Sequence, residues 1–144
     1  MPIWVRVRIR MPRTSDEMET SAKLNTGFTI GPFPFIRLPK ALAERLGFDI
    51  SRARPLHGVL DAAGRSLPMF ELGVVEVKVV EPDRESEWVR AVAVYTGASS
   101  VLLNDFLIEE LGIEPVRPGS GFWRFRGEPP DRLRKSAEPE YWRD

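Results

Sequence analysis

The chain contains no cysteine and a single histidine, His57, in 144 residues. The first absence excludes a disulfide framework, a thiol nucleophile and a Cys-ligated zinc site. The second leaves any Ser-His-Asp triad or His-rich metal centre to be built around His57 alone. Lysine is scarce too: 4 of the 21 cationic residues are Lys and 17 are Arg, and 21 acidic residues cancel them. A net charge of zero gives no global attraction to nucleic acid. The Arg preference, with 13 Pro, leans towards a heat-adapted protein. No apolar run approaches the roughly 20 residues of a membrane span. The start, Met1-Pro2-Ile3-Trp4-Val5-Arg6, lacks the basic residues, apolar stretch and cleavage site of a secretory signal. The expectation is a cytoplasmic protein that meets no membrane, with carboxylate chemistry as the one catalytic route left open, beside no chemistry at all.

Residues 3–11 alternate, with Ile3, Val5, Val7, Ile9 and Met11 on one face and Trp4, Arg6, Arg8 and Arg10 on the other. A period of two with β-branched residues predicts a half-buried strand. Its Arg stripe reads either as a solvated face that discourages edge pairing or as a phosphate-contacting edge. A second strand is predicted at about 19–25, ending in Asn25-Thr26-Gly27. Gly31, Pro32 and Pro34 punctuate the next stretch, where Phe33, Phe35, Ile36 and Leu38 supply apolar mass. Pro39 to Gly47 predicts a two-turn helix: Pro opens it, Leu42 and Leu46 share a face, and Gly closes it.

Further strands are expected over Leu56–Leu60, Leu67–Val80 and Trp88–Tyr95, with turns at Asp61-Ala62-Ala63-Gly64-Arg65 and Glu81-Pro82-Asp83-Arg84. A second Thr-Gly pair, Thr96-Gly97, precedes a second short helix over Asn104–Leu111, stopped by Gly112 and Pro115. Phe122–Phe125 is a last strand. Residues 127–144 hold three Pro among mostly charged residues and predict a loose tail outside a domain of residues 1–126. Strands outnumber helices, so the fold class is all-β or β-dominated, a barrel with two short helices.

The chain also echoes itself. Asn25-Thr26-Gly27-Phe28-Thr29 leads to Leu38-Pro39, a helix and Leu46-Gly47-Phe48. About seventy residues on, Tyr95-Thr96-Gly97-Ala98-Ser99 leads to a helix and Leu111-Gly112-Ile113. With Asp61-Ala62-Ala63-Gly64 and Leu102-Leu103-Asn104-Asp105-Phe106-Leu107 added, the order and spacing over residues 3–126 resemble the retropepsin-like aspartic proteases of the small, single-lobe microbial type.

That resemblance implies an acid-protease barrel lobe with an internal pseudo-two-fold and a homodimer in which each subunit supplies one catalytic Asp. It implies no metal and no cofactor. The catalytic turn would be Asn25, Thr26 and Gly27, since only the first Thr-Gly turn leaves enough chain for a flap and a second half. Phe28 and the flap tip Asp61, Ala62, Ala63 and Gly64 would bind substrate. In the family the terminal strands of two subunits interleave, which points here to residues 3–11 and Phe122–Phe125, with Trp123 as an anchor.

Three departures qualify the resemblance. The catalytic Asp is replaced by Asn25, and the dyad mechanism needs two carboxylates that share a proton and split their pKa values. A side-chain amide can neither give nor take that proton near neutral pH. Asn104 stands where the family has Gly, and is expected to crowd a close backbone approach. The Gly31–Pro34 stretch is longer than the family's connection. Asp61 and Asp105 are the carboxylates that might otherwise serve, though a turn residue and a first-turn helix residue explain them as well. His57 reads as a strand or surface histidine.

Three functions therefore stand open. One is a catalytically silent homodimer that holds extended peptides by main-chain hydrogen bonds, with Phe28, Phe33 and Phe35 either lining pockets or packed in the core. Another is an active aspartic endopeptidase whose Asp was engineered to Asn25. The last is a structural or nucleic-acid-binding β module resting on Trp4, Arg6, Arg8 and Arg10 with Arg124, Arg126, Arg132 and Arg134; the neutral total argues against nucleic acid as a partner.

Overall fold

In the computed structural model, which describes residues 2–24, 30–57, 63–66 and 68–143, the alternating segment is a strand, β1 (Trp4–Arg10). Val5, Val7 and Ile9 are fully buried on its inner side. It pairs antiparallel with β2 (Glu17–Leu24), which sets Arg8 opposite Glu19 and Arg10 opposite Glu17. Arg8 Nε lies 3.2 Å from Glu19, and Arg10 Nε lies 2.9 Å from Glu76. The arginine stripe is thus a strand face with its own carboxylates.

Next come β3 (Phe35–Arg37), α1 (Lys40–Arg45), a 3-10 turn at Ile50–Arg52 and β4 (Arg54–Leu56). They are followed by β5 (Met69–Val79), β6 (Val89–Tyr95), β7 (Val101–Leu103) and α2 (Asp105–Glu110). The strands run in the order β1-β2-β7-β3-β6-β5, and pairing of Val7–Arg10 with Glu76–Val79 joins β5 back to β1. The result is a β-dominated fold with a closed six-stranded barrel and two short helices, the class expected from the sequence. β4 lies outside the ring, beside β5, and among the described residues it is an edge strand.

The internal echo is a property of the backbone. β2 pairs parallel with β7 and β3 parallel with β6, while β3 and β7 run antiparallel. Each half therefore lays its own strands beside those of the other. Both helices span six residues and end at a Leu-Gly pair whose glycine has positive φ, +105° at Gly47 and +75° at Gly112, a conformation that stops a helix cheaply only with glycine.

The barrel interior is filled from nearly every strand, with Ile36, Val75, Val77, Ala93, Val101 and Leu103 fully buried. A second, smaller cluster lies on the opposite side of the β3-β6-β7 region, made by Phe35, Met69, Val94 and Leu102, with Ile30, Leu56 and Val92 against it.

Past α2, β8 (Ile113–Arg117), β9 (Phe122–Phe125) and β10 (Arg134–Lys135) form a separate three-stranded sheet in the order β10-β9-β8. Pro115, read as a helix stop, lies within β8. That strand is an edge, where a missing N–H costs no ladder bond.

The segment 127–143, expected as a loose tail, follows a defined course along the barrel. At its base Arg134 is 4% exposed. Its guanidinium reaches Glu128 at 2.6 Å, Asp83 at 2.8 Å and Glu81 at 3.2 Å. Ala137 N–H then donates to Trp4 O, Ser21 Oγ donates to the Glu138 carbonyl, and Arg6 pairs with Glu140. At the far end Trp142 donates its backbone N–H to Ser99 O and its indole N–H to Thr20 Oγ1 (2.9 Å). Only Ala22–Leu24 of β2 pair with β7, so Trp142 fills the gap beside the unpaired half of β2.

This course also bears on the two strands expected at a dimer contact. β1 is flanked by β2 and β5, and the tail takes its Trp4 end. β9 is flanked by β8 and β10. Both strands thus have neighbours on each side within the chain, and Trp123 is 0% exposed there.

Candidate functional site

The expected catalytic residues Asn25, Thr26 and Gly27, with Phe28, lie outside the described residues, as do Asp61 and Ala62 of the expected flap tip. The structure describes the frame around them. β2 ends at Leu24, and the chain resumes at Ile30 before entering β3. β4 and the start of β5 are the two arms of the hairpin that carries Ala63 and Gly64, pairing Arg54 with Glu71 and Leu56 with Met69. Ala63 and Gly64 are exposed, and Gly64 has φ +79°, the backbone state that a tight turn demands of glycine. His57 is exposed beside this hairpin.

Asn104 corrects an expectation. It was expected to crowd the backbone where the family has Gly; it is instead the most fully bonded side chain of the site. The residue is 0% exposed with extended backbone, φ −81° and ψ 172°. Its Oδ1 accepts from Leu107 N–H (3.0 Å), capping α2, and from Phe35 N–H (2.9 Å) at the start of β3. Its Nδ2 donates to Ile30 O (2.8 Å) and Phe33 O (3.1 Å). The long 30–34 connection is thus held by the very side chain that glycine would lack. Two departures from the family pattern are one device.

The same connection packs its aromatics outward. Phe33 is 48% exposed and stacks on buried Phe35 with ring centroids 5.0 Å apart. Phe106, at the start of α2, covers Gly31 so closely that a Cβ there would lie 2.6 Å from the ring. A side chain at position 31 would have to push the Phe106 ring aside. Asp105, one of the two alternative carboxylates, opens α2 beside an open groove of about 760 Å³ that also contains Arg124 and Arg126. Partial desolvation raises its carboxyl pKa. The arginines of that groove are engaged, Arg124 with Glu114 at 3.3 Å and Arg126 with the Glu109 carbonyl.

A further residue went unnoticed within the apolar run Phe35-Ile36-Arg37-Leu38. Arg37 reaches across to the loop before β7, donating from Nε (3.3 Å) and Nη2 (3.1 Å) to the Ser100 carbonyl and from Nη2 to Ser100 Oγ (3.0 Å). Burial lowers its pKa, and desolvation is the whole cause. Among the described residues no carboxylate pairs with it. A charged residue amid apolar neighbours was the signal that could have found it.

Among the described residues no group of three His, Asp or Glu side chains is placed to hold a metal ion. Among the described residues no helix is long and apolar enough to cross a membrane. No protein-family model matches the chain, and no curated protein matches it.

Proposed function

We propose that this chain is a catalytically silent member of the retropepsin-like aspartic peptidases that binds extended peptide segments. The observation that carries the proposal is the crossing of the two halves, in which β2, β3 and α1, on either side of residues 25–29, interlock with β6, β7 and α2, on either side of Thr96-Gly97. The hairpin of β4 and β5 supports it further, since β4, an edge strand among the described residues, offers main-chain groups to an extended ligand. Asn25 supplies no proton to exchange, so binding is separated from cleavage. The homodimer that the resemblance implies remains part of this function, since cleavage needs two carboxylates and each subunit would supply one residue 25.

The nucleic-acid alternative weakens on the same page. Of the seven arginines on which it rested, Arg6, Arg8, Arg10, Arg124, Arg132 and Arg134 pair with carboxylates of this chain, and Arg126 donates to the Glu109 carbonyl. Phosphate contacts need uncommitted cations.

The test sets the Asn25 protein beside its Asn25→Asp variant on an unfolded protein substrate at acidic pH, with a transition-state-mimicking inhibitor. No cleavage by the Asn25 protein is expected, and inhibitor-sensitive cleavage by it would overturn the silent assignment. Cleavage gained only by Asn25→Asp would show that one missing group separates this scaffold from an active one.

A further inference from the structure

Residues 136–143 form neither helix nor strand, and they meet the barrel through main-chain bonds near both ends. Ala137 N–H donates to Trp4 O (2.7 Å), and Trp142 N–H donates to Ser99 O (2.6 Å). Between them the Glu138 carbonyl accepts from Ser21 Oγ (2.6 Å), and the Glu140 carboxylate pairs with Arg6. The Trp142 indole packs against the barrel core and donates to Thr20 Oγ1 at 2.9 Å. Arg45 of α1 stands over the same ring, 5.7 Å from its centre. Main-chain bonds combined with side chains received in pockets are how proteins hold an extended ligand.

The two sides of this contact differ. On the barrel, Trp4 is 4% exposed and Thr20 and Ser21 are 0% exposed. On the segment, every residue from Ser136 to Arg143 is half-buried or exposed. Its firm anchor lies earlier, where Arg134 meets Glu81, Asp83 and Glu128. A terminal segment held beyond its anchor by half-exposed contacts belongs to the part of a protein that opens first. Lifting it uncovers two buried hydroxyls, main-chain groups of Trp4 and Ser99, and the slot of the indole. Polar groups that lose their partners cost free energy, so the uncovered wall favours being filled again.

We propose that residues 136–143 are an autoinhibitory strap, a built-in ligand closing a groove for an extended segment of a partner protein. That segment carries a carboxylate two residues before an aromatic side chain, as Glu140 and Trp142 do. Trp4, Arg6, Thr20, Ser21, Arg45 and Ser99 line the groove, which is independent of residue 25 and its chemistry. A second copy of this chain is a poor occupant. Exchanging straps repeats the same contacts and gives up the roughly millimolar effective concentration of a tethered segment. The seated strap lowers the partner's apparent affinity in proportion to the fraction of chains in which it is lifted.

A fluorescein-labelled peptide, Ser136–Arg143, is titrated by anisotropy against the full chain and its Trp142→Ala variant, whose own strap is weakened. The peptide should bind the variant at least about tenfold more tightly than the original. Glu140→Gln or Trp142→Ala in the peptide should each weaken that binding about tenfold. In the original chain, the amides of Ala137 and Trp142 should exchange with solvent at least about a hundredfold faster than those of β5 and β6. Equal affinity for the two chains, or a folded variant that binds no peptide, overturns the groove and leaves the function proposed for residue 25 standing. Strap amides as slow as those of β5 and β6, or a Trp142→Ala chain that does not fold, overturn it as well, because the strap is then part of the fold. Dimers of the original chain that excess peptide dissociates would show strap exchange between copies and overturn a partner protein as the occupant.

Discussion

Each half of the barrel sends one polar side chain across to hold the connection of the other, and the two are built differently. Asn104, from the second half, fixes the 30–34 connection of the first; Arg37, from the first half, fixes Ser100 in the connection of the second. Asn104 is neutral and fully buried, and all of its bonding capacity is used within the chain. Arg37 is charged and only partly buried, and among the described residues it binds the neutral acceptors of Ser100 and no carboxylate. A neutral side chain with every group bonded adds to the fold without a desolvation penalty left over, whereas a cation on neutral acceptors sets its hydrogen bonds against that penalty. On that contrast Asn104 is the stronger pin and Arg37 the weaker one.

The largest expected effect falls on the structural side. Asn104→Ala removes the cap of α2 and leaves the N–H groups of Phe35 and Leu107 and the carbonyls of Ile30 and Phe33 without their partner. A lost cap and unsatisfied buried groups together should cost about 3 kcal/mol in urea or thermal unfolding. Pro39, the counterpart of Asn104 at the start of α1, makes no side-chain cap bond, so Pro39→Ala should cost well below about 1 kcal/mol. Equal costs at the two positions would break the comparison.

How far these features were legible follows from their chemistry. Period-two alternation announced β1, and spacing with terminal Pro or Gly announced both helices, because each pattern spans enough residues to be recognised. β3 and β7 are three residues each and buried on both sides, too short to show a period. They are also the strands on which the crossing of the two halves depends. Asn104 read as an intruder because its value lies in partners some seventy residues away. The 127–143 segment read as loose because its charges look solvated. Only the fold reveals that Glu81 and Asp83, on the turn between β5 and β6, meet Arg134 there. Arg37 was hidden among apolar neighbours, and its partner Ser100 lies sixty-three residues away.

Arg134 shows what a committed guanidinium is worth. Arg134→Met removes the shared partner of Asp83 and Glu128 and should cost about 2 kcal/mol at neutral pH, the carboxylates recovering part of their hydration at the surface. The cost should depend on pH. Hydrogen bonds from Arg134 hold the carboxyl of Asp83 well below the usual carboxylate range and that of Glu128 at about 2. Groups whose pKa is depressed by folding contribute stability that is present above their unfolded values, near about 4, and lost as pH falls towards the folded ones. The gap between the original protein and Arg134→Met should therefore be constant from pH 7 to about 5 and narrow below about 4. A gap unchanged at pH 3 would mean that the carboxylates are not what Arg134 contributes.

The smallest expected effect is the sharpest for the comparison. Arg37→Met gives up hydrogen bonds to Ser100 but removes a desolvated charge with no carboxylate beside it, and its thioether suits the apolar cluster of Phe35, Val94 and Leu102. These opposing terms should leave stability within about 1 kcal/mol of the original, in either direction. The site is partly exposed, so water can reach the Ser100 carbonyl that the guanidinium vacates. Unfolding midpoints of Arg37→Met and Arg134→Met, measured side by side at pH 7, decide the matter. If removing Arg37 costs as much as removing Arg134, then Arg37 is a structural pin like Asn104. If it costs little, its bonds to Ser100 and the cost of desolvating its charge offset each other, and the fold does not need this cation.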